Sequence, residues 1–324
     1  MRSSKELILA TKTYTGEDRQ KSWLETLGTI LLVSIFLFVS FSALPLFVKF
    51  VASIISGLLY VRMFVIYHDY QHHAILQKSA TAKIIMQFFG IYLLAPQTIW
   101  KRSHDHHHNH NSKLTISGIG SFPTISKKKF LSLTKAQQNL YLANRHWLTV
   151  IFGYITLFIY WLNVKSFIQS PAKHFDSFVA LVFHFAMGAF IWIQLGFAAF
   201  LLGWFVPFFL AFALGSYLFY CQHNFPGAEF KENQDWRYDH AALSSTSFMV
   251  MSKPMQWLTG NIGYHHVHHL NSRIPFYRLP EAMRDMPELH GVYTTSWNPV
   301  EMYRCFKLKL WDTEKGKMIT LEQI

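Results

Sequence analysis

The sequence predicts an all-α integral membrane protein, with four transmembrane helices, further interfacial helices and a histidine-rich cap on the cytoplasmic side. Three observations lead there. Of 324 residues, 51% are hydrophobic and only 15% charged, against roughly a quarter charged in a soluble domain. The charge that exists is segregated, with long stretches nearly free of it and others rich in Lys, Arg and His. The histidines gather just outside apolar runs of spanning length.

Taken in order, residues 1–26 form a cytoplasmic N-terminal segment. Lys5, Lys12, Arg19 and Lys21 without an apolar core are not a cleavable signal peptide. Leu27–Leu44 is uninterruptedly apolar and long enough to span. Pro45 breaks it, and Leu46–Tyr67 supplies the second span, so residues 27–67 hold the first pair. Arg62 is expected to snorkel to the interface, which places His68 about 9 Å beyond it at helical rise. Ile84–Leu94 is too short to span and reads as an interfacial helix within a cap region, 68–146, whose polar part is Lys101–Arg145. Trp147–Leu162 is read as a shallow or interfacial helix. Phe178–Tyr220 is long enough for the last two spans, with a turn near Gly196. Lys165 and Lys173 in the 163–177 loop disfavour its being external, so four spans leave 101–145 and 221–324 on one cytoplasmic face. The whole chain reads as a single membrane domain.

Two cysteines, Cys221 and Cys305, build neither a disulfide framework nor a zinc motif. A net charge of +12 fits an anionic membrane surface. No basic-aromatic motif accompanies it that would suit nucleic acid.

Twelve of the 18 histidines form three clusters: His68, His72 and His73; His104, His106, His107, His108 and His110; and His265, His266, His268 and His269. Neutral imidazole suits iron, zinc and copper alike. On a helix, positions i, i+3 and i+4 share a face, which selects His104, His107, His108 and His265, His268, His269, with His68 and His72 as an i, i+4 pair. Eight ligands from three segments suit two ions. His73, His106, His110 and His266 fall off those faces and rank as supporting or surface residues. His223, leaving the last apolar run at the depth of His68, is a further candidate. A merely solvated polar face does not explain three matched spacings, and catalytic zinc, with three protein ligands, leaves a surplus. A transport site should place ligands within the spans, where only His184 lies deep, without a carboxylate near it, and reads as a hydrogen-bonded core residue.

At these residues the chain resembles the membrane fatty acid desaturases, with their three histidine boxes. His68-Asp69-Tyr70-Gln71-His72-His73 resembles the first and His104-Asp105-His106-His107-His108 the second. Gly260-Asn261-Ile262-Gly263-Tyr264-His265-His266-Val267-His268-His269-Leu270, continuing into Arg273-Ile274-Pro275, is similar to the third box of bacterial acyl-lipid desaturases. The resemblance covers roughly residues 27–290. It implies a four-span stem and a cap holding two irons, in the bacterial inner membrane with the metal site on the cytoplasmic side. The implied ligands are His68, His72, His104, His107, His108, His223, His265, His268 and His269. It further implies dioxygen as co-substrate, a fatty acyl lipid as substrate, and electrons from a ferredoxin or cytochrome b5 type donor, since no His-Pro-Gly-Gly heme segment is present. Animal acyl-CoA members carry an Asn four residues before the ligand that follows the last span; here that residue is Phe219, so the water it holds is not transferred.

Removing hydrogen from an unactivated methylene needs a strong oxidant, which two redox-active irons can generate from dioxygen and zinc cannot. Asp69, Asp105 and Asp239, with His73, are candidates to support the ligands from behind, an exposed surface charge being the alternative reading for each aspartate. Trp100, Tyr264 and Trp257 are candidates to line an acyl tunnel. Two other readings stay open on spacing alone: a di-iron hydroxylase or ketolase of alkanes, lipids or carotenoids, and a non-catalytic membrane metal-binding or transport protein.

Overall fold

A computed structural model of the chain describes residues 2–114 and 119–324; residues 115–118 of the polar 101–145 segment lie outside the described part. Among the described residues it is mostly helical, with four helices long and apolar enough to cross a membrane: Arg19–Phe41, Leu46–Gln71, Phe175–Leu195 and Phe197–Cys221. The protein is an integral membrane protein.

A short helix α1 (Ser4–Ala10), closed by a reciprocal Ser3–Glu6 capping box, precedes the first span. Helix α2 (Arg19–Phe41) starts eight residues before the apolar run, because Asp18 caps it by accepting from the Lys21 amide at 2.9 Å. Pro45 separates α2 from α3 (Leu46–Gln71). Helix α3 lies close to the fourth span, and a Cβ at Gly57 would stand 3.0 Å from both Leu210 and the Pro207 carbonyl.

Arg62 corrects one expectation. Its side chain does not extend towards solvent; it is 1% exposed and ion-paired to Glu25 of α2. Its Nε donates to Thr29 at 3.2 Å, and its guanidinium lies 4.0 Å above the Trp257 ring. A carboxylate, a hydroxyl and an aromatic face together replace the water that snorkelling would have sought.

Helix α4 (Ala80–Tyr92) and helix α5 (Gln97–His110) meet at 88°. The bend puts Leu94 at a φ of +51°, and its carbonyl accepts from Asn163 Nδ2 at 2.7 Å. Short helices α6 (Lys127–Leu131) and α7 (Lys135–Asn144) follow. Helix α8 (Trp147–Ile151) continues into a π-helical stretch, Tyr154–Lys165, and then α9 (Ser166–Gln169). One face of 147–162 packs on the spans, with Tyr154 bonded to His184 inside the third span and Phe158 on Phe212 at 4.0 Å, while Trp147, Tyr160 and Trp161 stay exposed. His184 thereby has the partner expected of a core residue.

The third span is α10 (Phe175–Leu195). Gly196, at φ +87°, makes the turn to the fourth, which is α11 (Phe197–Phe200), a π-helical turn and α12 (Val206–Cys221). The rest is cap: α13 (Tyr238–Ser244), α14 (Lys253–Leu258), α15 (His265–Leu270), α16 (Leu279–Asp285) and α17 (Pro299–Lys307). Two small sheets complete it. Strands β1 (Phe248–Met249) and β2 (Thr294–Thr295) pair in parallel, while β3 (Leu310–Asp312) and β4 (Lys317–Ile319) pair antiparallel.

Candidate metal centre

Four pieces of chain bring imidazoles to one place. Helix α3 runs unbroken out of the apolar region, with His68 in its last turn and His72 as its C-cap. The bend before α5 turns the buried face of that helix, with His104, His107 and His108, towards the same point. His223 follows the end of α12. Helix α15, tied to the same corner by Gln222 donating to the Ile262 carbonyl at 2.9 Å, presents His265, His268 and His269.

The nine imidazoles sort into two groups, each with ligand atoms within 4.8 Å of one another. One holds His68, His72, His104, His108 and His268; the other holds His107, His223, His265 and His269. Within the first, His108 Nε2 stands 3.1 Å from the Nε2 atoms of both His104 and His268. Within the second, His223 Nε2 is 3.1 Å from His107 Nε2 and 2.8 Å from His265 Nε2. The groups adjoin, with the His108 and His269 rings stacked at 4.2 Å.

All nine are buried. Burial, reinforced by neighbouring imidazoles, holds His72, His104, His107, His108, His265, His268 and His269 well below the usual histidine range. Burial pushes His223 down to about 3. Neutral imidazole is the form that ligates. His72 Nε2 and His269 Nε2 are buried without a hydrogen-bond partner, although such atoms are normally satisfied. Two convergent nests of nitrogen lone pairs, with orphaned atoms among them, fit a pair of transition-metal ions.

The surroundings separate the supporting residues. Asp69 is buried, with Oδ1 3.1 Å from His68 Nδ1 and Oδ2 accepting from the Phe276 amide at 2.6 Å. Its carboxylate thus holds the His68 ring at Nδ1. Asp105 and Asp239 do not act this way. Each is drawn to a nearby cation: Asp105 pairs with Lys101 at 3.0 Å and Asp239 with Arg237 at 3.0 Å. His73, at φ +61°, turns outward to Gln77 at 2.7 Å, because the helix has ended one residue earlier. His106 and His110 stack on each other at 4.1 Å, outside both groups. His266 is fully buried rather than superficial, packed near Phe248.

Of the aromatic candidates, Trp100 stacks on His104 at 4.5 Å and meets the edge of His68 at 5.6 Å. Trp257 is engaged by Arg62 and Tyr264 by Phe248. Phe219 packs on His107 at 5.0 Å and His223 at 5.5 Å, an apolar cover over the four-histidine group. Asn163, which fixes the bend that aims α5, and Glu25, which neutralises Arg62, were not singled out in the sequence. Neither carries a local pattern, since each partner lies tens of residues away.

Four spans beneath two adjoining all-histidine nests define an integral membrane protein able to hold a pair of metal ions. The fatty acid desaturase family model matches residues 45–299. The chain belongs to the fatty acid desaturase family and is an oxygen-dependent oxidoreductase. It is 25% identical over 323 residues to a fatty acid desaturase of Bacillus subtilis (strain 168), covering 99% of this chain and 91% of that one. It is 26% identical to an sn-1 oleoyl-lipid 12-desaturase of Anabaena variabilis, over 93% and 87% of the two chains. It is also 26% identical to a chloroplastic omega-6 fatty acid desaturase of Spinacia oleracea, over 77% and 55%.

Proposed function

We propose that this protein introduces a double bond into the acyl chain of a membrane lipid, with nine histidines holding two irons and a separate ferredoxin or cytochrome b5 type protein supplying electrons. The observation that carries the reading is the pair of adjoining buried imidazole groups at the ends of the spans. The Anabaena relative, an sn-1 oleoyl-lipid 12-desaturase, supports a lipid-linked substrate. The basic residues of 101–145 and of the C-terminal region support a cytoplasmic cap.

In this reading His68, His72, His104, His108 and His268 hold one iron, and His107, His223, His265 and His269 the other. Two irons supply the reduction of dioxygen: two donor electrons and two hydrogens from adjacent acyl carbons, with two protons, convert one dioxygen to two waters. The protein contributes position and dryness. Asp69 fixes the His68 ring, and the neutral imidazoles bring no charge to be displaced. Trp100 and Phe219 exclude water from opposite groups.

The test is the fatty-acid profile of a host with a compatible donor, expressing the wild type or His268→Ala. Derivatisation before mass spectrometry locates any new double bond. A new unsaturated acid restricted to the wild type supports the reading. Hydroxy acids, or altered alkanes or carotenoids, replace it with hydroxylation. Unchanged lipids despite bound iron and a working donor overturn it.

A further inference from the structure

No carboxylate lies between Asp105 and Asp176, while eight Lys and Arg residues do. Apart from Lys173 in the loop before α10, the exposed part of that charge sits on α6 and α7. Lys128, Lys129 and Lys135 are exposed, and none forms an ion pair among the described residues. The same stretch exposes large apolar side chains: Leu131 (55%), Leu140 (63%) and Trp147 (47%).

These side chains have no inward alternative. The opposite side of the two helices is already committed, since Phe130 and Tyr141 are buried against Leu310 and Ile319 of the β3–β4 hairpin. Gln138 Nε2 locks α7 to α6 through the Phe130 carbonyl at 3.1 Å. Rigidly presented apolar groups interleaved with unpaired ammonium groups match a surface that is anionic outside and apolar just beneath. Continuity gives the same answer. Trp147 opens the helical stretch whose Ile155 and Tyr160 are exposed alongside the spans, so the bilayer that covers those residues extends naturally over α7.

We infer that α6, α7 and Trp147 form an interfacial platform that binds the headgroups of anionic phospholipid, with Leu131 and Leu140 in the headgroup–acyl boundary and Lys128, Lys129 and Lys135 on phosphate. The platform fixes the height of the cap above the bilayer. Arg145, at the end of α7, is fully buried and donates to Asn224 at 2.5 Å, beside His223, so that height is transmitted to the metal centre. The inference stands on the membrane assignment and not on the reaction.

The experiment uses the full chain in nanodiscs of phosphatidylcholine alone or mixed with phosphatidylglycerol. Cys221 and Cys305 are buried, so Leu140→Cys takes an environment-sensitive fluorophore selectively. Quenching by brominated lipid is expected to rise several-fold with phosphatidylglycerol. The increment should be lost in Lys128→Gln/Lys129→Gln/Lys135→Gln, each lysine contributing about fivefold to the attraction. It should also shrink as salt shortens the screening length from about 8 Å to about 3 Å. Amide exchange across 126–150 in the same discs reports the same contact without a label. Equal quenching and exchange in both lipids, or protection that appears only when an acidic soluble carrier protein is added, overturns the inference. Loss of acyl desaturation with the phosphatidylglycerol response intact counts against the proposed function alone.

Discussion

His223 Nε2 lies 2.8 Å from His265 Nε2, joining the end of the fourth span to the first residue of α15. Two uncharged ring nitrogens at that separation, both buried, have one hydrogen at most between them. A shared cation resolves the contact for the whole four-histidine group, whereas hydrogen bonding resolves it for one pair.

The two groups should be separable by substitution. His265→Ala removes a donor from the four-histidine group and His268→Ala one from the five-histidine group. Each is expected to lower bound iron from about two per chain towards one, with loss of activity, because each group needs its full set to outcompete water. Elemental analysis of purified protein checks this. Unchanged iron in both variants removes the two-ion assignment.

Asp69→Asn keeps the size of the side chain and removes its charge. Its contact with His68 Nδ1 at 3.1 Å is weakened and the His68 ring loses its anchor. A loss of about 10–100-fold in iron affinity or activity is expected. Asp105→Asn and Asp239→Asn, whose carboxylates pair with exposed cations, should stay within about twofold of wild type under the same assay.

Acid should destabilise the fold through its buried histidines. His266 belongs to neither group and is pushed down by burial to about 3 from its ordinary 6.5. Between those values the unfolded chain holds a proton that the folded chain lacks, so stability falls as pH drops through that window. One such residue accounts for about 1.4 kcal/mol per pH unit. Unfolding of His266→Gln against pH should show a correspondingly shallower slope between pH 6 and 4, within roughly that magnitude. Identical slopes would refute the assignment.

Glu25→Gln should cost more than the paired change Glu25→Gln/Arg62→Met. The single change leaves a buried cation without its counter-charge, at about 3–5 kcal/mol for a fully buried pair. The low end applies here, because Glu25 keeps 24% exposure. Thermal unfolding in detergent distinguishes the two variants. Equal melting temperatures would mean that the pair does not hold α2 on α3.

What the sequence revealed follows from the range of each signal. Apolar runs and i, i+3, i+4 spacing are local, so the spans and the shared faces of α5 and α15 were legible from residues a few places apart. His223 has no local pattern and entered through depth and family resemblance. The partner of Arg62 was not legible because Glu25 is 37 residues away, whereas Asp105 and Asp239 pair with cations close by in sequence, Lys101 and Arg237. The depth of Tyr154 depended on His184, 30 residues on. The division of nine histidines into five and four likewise required the assembled helices.

Helix α5 gives His104 and His108 to one group and His107 to the other, while α15 gives His268 to the first and His265 and His269 to the second. Two rigid rods thus serve as common rulers for both nests. The spacing of the two nests is set by the pitch of an α-helix, about 1.5 Å of rise per residue, and not by a flexible linker. Whichever ion arrives first freezes rings on both rods, so the second meets a nest already ordered. Loading of the intact protein should therefore be cooperative, and half-loaded wild type scarce when iron is limiting.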